Sequence, residues 1–239
     1  MLPSHRHISF KSISRSYYEE FRERKILIKT ISKLCIIMRC VIVLIYLAFA
    51  IILVSANSQE NTVSALLDRA VDSYQKGDYE EAVEYYDEAI EINSSNAEAW
   101  YGRGQALEYQ ENYGTAIESY ARAIEIRPLF FEAWNNKGWN HLILGEFEEG
   151  LRSIDEAMKI SPSDSEVWNH KGIYFNSLRQ YDEAIKCFSR ATDLDPKNAN
   201  AWYNKGGAME DLGKKAEADE AYARAKELGF NGTSAILPE

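Results

Sequence analysis

Few residues of this chain have the type and spacing that catalysis or metal binding requires. His141 and His170 are the only histidines between residues 63 and 232, and neither has a Cys or His partner at metal-ligand spacing. No glycine-rich phosphate loop is present, and the many carboxylates fall on helix faces without an apolar cleft to separate their pKa values. The inventory predicts no enzymatic activity, no metal and no cofactor, and it favours binding through a surface.

The elements that carry such a surface follow from a strict interval between tryptophans. They stand 34 residues apart, and each is followed four residues later by glycine. The tryptophans are Trp100, Trp134, Trp168 and Trp202. A fixed period of this length marks stacked supersecondary units rather than one globular core. Within each period two stretches have apolar residues at helical spacing, so each unit is predicted to be a helix, a tight turn and an antiparallel helix.

Five such units account for residues 63–232. The blocks are 63–96, 97–130, 131–164, 165–198 and 199–232. The first block has Leu66 in place of the tryptophan and Ala70 in place of the glycine, but it keeps the rest of the pattern. We expect the glycines of the first helices to face the small residues of the second helices, which are Ala116, Gly150, Ala184 and Ala218.

The recurring pattern is W-x3-G in the first helix and A-x3-[YF]-x2-A-x4-P in the second. It resembles the tetratricopeptide repeat over residues 63–230. The resemblance implies an all-α fold, a right-handed α-solenoid whose first helices line a concave groove while the second helices form the outside. It also implies a role in protein–protein interaction, often by holding a peptide in the groove.

The residues that line the groove by this resemblance lie on the first helices, away from the tryptophan and glycine stripe. They are Tyr101, Gln105 and Tyr109 in the second unit, Asn135 and Trp139 in the third, Asn169, Ile173 and Asn176 in the fourth, and Tyr203 in the fifth. Trp139 is the only tryptophan outside the 34-residue interval. Either it is a binding hot spot, a role in which tryptophan is enriched, or it packs half-buried against adjacent helices.

The charge of the chain changes sign along its length. Residues 1–40 carry nine Lys and Arg against three Glu, whereas residues 41–239 carry 18 Lys and Arg against 34 Asp and Glu. An acidic repeat domain argues against nucleic acid as a partner, because contacts to phosphate need a basic face. The acidity suits a basic protein partner, or it simply keeps the domain soluble.

The N-terminal region contains an apolar run of 14 residues, Val41 to Val54, which small and polar residues follow. A run of this length is typical of a signal peptide, with cleavage after Ala56, but residues 41–56 are also compatible with an uncleaved membrane anchor. A cytoplasmic protein is the third alternative. In either leading case the basic flank, residues 1–40, stays in the cytoplasm and the repeats lie outside it. Because Met38 and Arg39 stand just before the run, we hypothesise that translation begins at Met38.

The predicted organisation is thus a basic leader, a signal or anchor at 41–56, a short linker at 57–62, the repeat domain at 63–232 and a tail at 233–239. The predicted function is a non-enzymatic interaction scaffold, exported or membrane-tethered, that holds a protein segment in its groove. The alternative is a structural or self-assembling component, or a regulatory subunit, of an envelope complex.

Overall fold

The computed structural model describes residues 10–230, and these residues form ten α-helices without a strand. The predicted tail at 233–239 lies outside the described residues. The helices are α1 (Phe10–Lys76), α2 (Tyr79–Ile92), α3 (Ala97–Tyr109), α4 (Tyr113–Ile126), α5 (Phe131–Ile143), α6 (Phe147–Ile160), α7 (Ser165–Ser177), α8 (Tyr181–Leu194), α9 (Ala199–Asp211) and α10 (Lys215–Glu227). The predicted helix pairs are confirmed: α3–α4, α5–α6, α7–α8 and α9–α10 each fall within one block.

Apart from its repeats, the chain divides into two compact parts, which meet in sequence between Glu60 and Asn61. Helix α1 contains a stretch from Val41 onward that is long and apolar enough to cross a membrane, and the most apolar part of this stretch is not buried in the structure. A signal sequence near the N-terminus has the same length and composition, so this feature does not separate the two alternatives. The residues predicted as a linker, 57–62, are helical and belong to α1.

Three of the first helices, α3, α7 and α9, begin at polar caps, and the helix pairs turn at a fixed position. Asn96, Asp164 and Asn198 each accept a hydrogen bond from a backbone N–H of the first turn, which satisfies a donor that the helix cannot pair itself. Between the two helices of a pair, one residue adopts a left-handed backbone conformation. These residues are spaced 34 apart: Gly77, Glu111, Gly145, Arg179 and Gly213.

The interior of each pair is built from a glycine of the first helix and a large side chain of the second. A Cβ atom at Gly172 would lie 2.5 Å from Cδ1 of Phe188, and Phe188 is almost fully buried. Gly104 meets Tyr120 and Gly206 meets Tyr222 in the same way. In these three pairs the atoms nearest to the glycine belong to the large ring, which fills the space that the missing side chain leaves.

Two units vary this packing. In the third unit the atoms nearest to Gly138 belong to Ile154 and to the backbone of Gly150, the small residue expected there. In the first unit Ala70 is fully buried at the glycine position, and the ring of Tyr86 lies against Gly102 of the next unit. The buried clusters thus run from one unit to the next and join the units into a continuous core.

Candidate functional site

From the second unit onward, side-chain hydrogen bonds connect each first helix to the next at a constant offset of 35 residues. In every case the residue two positions after the tryptophan bonds to the residue one position after the preceding tryptophan. The bonds, which we call rungs, are Asn136 Nδ2 to Tyr101 OH at 3.4 Å, His170 Nδ1 to Asn135 Oδ1 at 2.8 Å and Asn204 Nδ2 to Asn169 Oδ1 at 2.9 Å. The rungs run along α3, α5, α7 and α9, so they hold the first helices in register.

The middle rung depends on a neutral histidine. Burial lowers the pKa of His170 to about 4, so the imidazole is uncharged at neutral pH. Because the amide oxygen of Asn135 only accepts, the proton of the neutral ring is placed on Nδ1, which donates to it. The ring also stacks on Trp139 of α5, with 4.9 Å between the ring centroids and 16° between the planes.

The predicted groove residues on the rungs differ in their exposure. Asn135 is 2% exposed and Asn169 is 5% exposed, so both act within the rungs rather than on an open surface. Tyr101 is half-buried between Tyr120 and Phe130, and burial raises its pKa to about 12. Tyr203, which is in none of the three rungs but holds the same repeat position in the fifth unit, is half-buried and stacks on Phe230, with ring centroids 4.2 Å apart.

Three further predicted residues lie elsewhere on the first helices. Tyr109 is 60% exposed at the end of α3 and stacks on Tyr79, with 4.8 Å between centroids. Gln105 is half-buried one turn before it. Asn176 is half-buried near the end of α7, and its buried Oδ1 has no hydrogen-bond partner among the described residues.

The remaining predicted residues, Trp139, Asn169 and Ile173, are brought together in one cavity. The cavity has a volume of about 200 Å³ and is lined by α5, α7 and the N-terminal end of α9. Its wall contains these three residues together with Glu166, His170, Asn198, Asn200 and Asn204. Trp139 therefore packs half-buried against a neighbouring helix, as one of its two alternatives expects, and it also lines the cavity, while its role as a binding hot spot stays a prediction.

The lining of the cavity is polar and carries an acid but no Lys or Arg. Glu166 is exposed at the cavity, and its partial burial, followed by the nearby charges of Asp164 and Glu108, raises its pKa. His170 adds no positive charge at neutral pH because its pKa is lowered. The cavity can therefore accept hydrogen bonds and a positive charge, and it has an aromatic wall.

Sequence reasoning missed Glu166, Asn198 and Asn200 as parts of this site. A signal was present, because Glu166 and Asn200 stand two residues before a tryptophan, where Glu98 and Glu132 stand in the earlier units. His170 and Asn204 share a repeat position, two residues after a tryptophan, and both are polar. That these positions converge on one cavity depends on how α7 lies against both α5 and α9.

A half-buried carboxylate supports the first-helix face near the second unit. Glu108 of α3 accepts hydrogen bonds from Tyr120 OH and from Asn140 Nδ2, both at 2.8 Å. Burial raises the pKa of Glu108, and its two bonded donors act in the opposite direction. The contact joins α3, α4 and α5 through one side chain.

No group of three or more His, Cys, Asp or Glu that could hold a metal ion is found in the part of the chain that the structure describes. The fold and the site together define an α-solenoid of helix pairs with a cavity of about 200 Å³ on its first helices. Family models described as "TPR repeat" match residues 73–110 and 175–213, and models described as "Tetratricopeptide repeat" match residues 97–129, 131–164 and 199–228. The chain belongs to the tetratricopeptide repeat family, whose members are generally non-enzymatic scaffolds.

Solved structures with this fold include three informative ones. MamA from Desulfovibrio magneticus is 21% identical, with a TM-score of 0.62, and the match covers 72% of this chain and 98% of that one. PilF from Pseudomonas aeruginosa is 18% identical with a TM-score of 0.65, covering 73% and 80%. YrrB, described as a TPR protein with an unusual peptide-binding site, is 24% identical with a TM-score of 0.55, covering 70% and 86%. At these identities the likeness shows the fold alone. No curated protein matches the chain.

Proposed function

We propose that this protein is a membrane-tethered or exported scaffold that holds a segment of another protein against its first helices. The observation that carries the proposal is the cavity lined by Trp139, Asn169 and Ile173, which combines an aromatic wall with hydrogen-bonding groups. Binding sites typically have this composition, an apolar wall with a few placed polar groups. Protein binding is also the general duty of the family, and YrrB is described as having a peptide-binding site.

The rungs support such a function because they order the surface before a ligand arrives. Asn135 and Asn169 are buried and their amides are engaged between helices, so little freedom is left to lose when a segment binds. The cavity then selects one side chain of the segment, while the half-buried residues along the groove contact the rest.

The N-terminal region supplies the tether or the export signal in this proposal. A stretch of α1 from Val41 has the length and composition of a membrane span, and nine Lys and Arg precede it within residues 1–40. The positive flank keeps the N-terminus in the cytoplasm and places the repeats on the other side. N-terminal sequencing of the protein from its natural host tests this: a start at Asn57 indicates a cleaved signal, and retention of 41–56 indicates an anchor. A second test adds protease to cells from which the outer layers have been removed. If a cytoplasmic marker is degraded before the repeats are, export is contradicted.

Partner capture tests the binding function. The full chain, Trp139→Ala and the control Leu129→Ala are used as baits in envelope extract; Leu129 is 75% exposed and does not line the cavity. We expect the wild type and the control to retain a protein that Trp139→Ala loses, while thermal unfolding shows that all three are folded. If only copies of the bait are recovered, self-assembly is the function; if all three baits retain the same partners, a different face binds.

A further inference from the structure

Glu166 differs from the residue at the same position of the second unit in having no internal partner. Glu98, two residues before Trp100, accepts a hydrogen bond from Arg127 Nη2 at 2.7 Å. Glu166, two residues before Trp168, forms neither an ion pair nor a hydrogen bond through its side chain in the described residues 10–230. It lies at the cavity, where partial burial and the nearby charges of Asp164 and Glu108 raise its pKa, and its side chain stays exposed to an incoming ligand.

The missing partner is explained by the sequence of the repeat. Arg127 follows α4, and the equivalent residue 68 positions later, which follows α8, is Asp195. The charge at that position is therefore reversed. Asp195 borders a second depression of about 520 Å³ that shares Glu166, Asn198 and Asn200 with the cavity and also contains no Lys or Arg. The fourth unit keeps the acceptor that the second unit pairs internally, but it lacks the cation.

Resting on the proposed function, we propose that this cavity takes an arginine side chain from the bound protein segment. Its guanidinium occupies, relative to Glu166, the place that the Arg127 guanidinium has relative to Glu98. The Oδ1 atom of Asn200 accepts a further N–H, since the Asn200 side chain has no hydrogen-bond partner among the described residues. The methylene stem lies along Trp139 and Ile173.

Several properties favour arginine as the occupant. A guanidinium offers five donors in a fixed plane, which suits a carboxylate and several amide oxygens on one wall, and it stacks on aromatic rings. The second unit shows both contacts within this fold, because the Arg127 guanidinium lies 4.3 Å from the centroid of Phe130 while it pairs with Glu98. The excess of acidic residues in 41–239 steers basic segments toward the domain.

The test is selection of peptides from a random phage-displayed library on the full chain, on Glu166→Gln and on Glu132→Gln. Glu132 is the matched control because it holds the same repeat position, loses the same charge and does not line the cavity. We expect the wild type and Glu132→Gln to select peptides with arginine at one fixed position, and Glu166→Gln to lose that enrichment. Thermal unfolding of Glu166→Gln is expected to match the wild type, because Glu166 has no partner to lose.

The best peptide is then made with citrulline, a neutral isostere, at that position. Its affinity for the wild type and for Glu132→Gln is expected to fall at least about tenfold, as for a lost charge-assisted pair, while its affinity for Glu166→Gln changes little. Selected peptides that depend on Trp139 but show no fixed arginine, or an equal citrulline effect in all three proteins, would overturn the arginine site and leave the groove function intact. Failure to select any peptide, or selection that Trp139→Ala leaves unchanged, would overturn the groove function itself.

Discussion

Inside the helix pairs, a glycine of the first helix lies against a large side chain of the second in each unit from the second to the fifth. On the face of the first helices, the residue that follows each tryptophan is Tyr101, Asn135, Asn169 or Tyr203. The interior repeats its chemistry because close packing at that contact leaves no alternative, whereas the face changes from unit to unit. The difference separates the contact that builds each helix pair from the positions that vary between the units.

The largest effect is expected from removing an interior ring. Phe188→Ala deletes a side chain that is 1% exposed and leaves a cavity against Gly172, so we expect a loss of about 3–5 kcal/mol in the free energy of unfolding. Denaturant unfolding of the full chain in detergent measures it. Leu178→Ala, at a partly exposed apolar residue, is the control and is expected to cost far less. Equal losses in both variants would show that the interior contact is not special.

The second largest effect is a pH-dependent loss of stability that comes from His170, on the face of the first helices. The pKa of His170 is lowered by burial from 6.5 to about 4, so the unfolded chain binds a proton first and stability is lost as the pH falls from 6.5 toward 4. The shift corresponds to about 3 kcal/mol at pH 4. His170→Asn installs the residue that stands at this position in the third and fifth units, where Asn136 and Asn204 form rungs.

We expect that variant to lack the His170 component, so that the difference between the two stability curves changes with pH only below about 6.5 and by about 3 kcal/mol at most. Unfolding at several pH values measures this difference. Loss of the Trp139 stack adds only a constant offset, because it does not involve a proton. Parallel curves for wild type and variant would show that His170 is not held neutral by its surroundings.

Alanine substitutions at two glycines, one inside a helix pair and one on the first-helix face, are expected to change the stability by smaller amounts and in opposite directions. Gly172→Ala places a methyl group 2.5 Å from the buried ring of Phe188, and overpacking of this kind costs about 1–3 kcal/mol. Gly207→Ala, on the first-helix face, places a methyl group 3.6 Å from Tyr222 OH, an ordinary contact, and replacing a helical glycine stabilises by up to about 1 kcal/mol. Thermal unfolding compares the two. Stabilisation by both substitutions would contradict the packing role of Gly172.

The smallest effect is expected at the turns. Arg179 has a φ of 57°, at the position where Gly145 and Gly213 stand in neighbouring units. A left-handed conformation costs an L residue roughly 1–2 kcal/mol, part of which is offset by the larger freedom of glycine when unfolded, so Arg179→Gly should gain up to about 1 kcal/mol. Gly145→Ala is the reciprocal change and should lose a similar amount in the same unfolding measurement. A gain from both would exclude backbone conformation as the cause.

Much of the fold could be predicted because its determinants are local and repeated. The interval from Trp100 to Trp202 indicated the helix pairs, and each pair appears within its block. The ring nearest to each packing glycine was not predicted, because the pattern shows that Gly172 must lie close to a neighbouring helix but not which residue of that helix lies nearest to it. The turn position was not predicted from the sequence. It is glycine in three units, at Gly77, Gly145 and Gly213, but Glu111 and Arg179 occupy it in the other two.

Less of the candidate site could be predicted. Trp139, Asn169 and Ile173 line the cavity together, whereas the other predicted groove residues do not line it. The exposure of these side chains could not be predicted from the sequence. Asn135 and Tyr109 were assigned to the same face, yet Asn135 is 2% exposed and Tyr109 is 60% exposed. Whether a polar side chain bonds to a neighbouring helix or stays open depends on inter-helix distances that no local pattern contains.

The sequence by itself determined the class of this protein: a tetratricopeptide repeat chain of helix pairs, acidic in its repeats and preceded by an apolar segment. These properties follow from periodicity, composition and charge, which are local or additive. Only the tertiary structure decided that Glu166, His170 and Asn200 meet Trp139 around one cavity, and that Glu166 lacks the arginine that Glu98 has. Residues from different units converge there, and the free energy of a charge depends on which groups lie next to it in space.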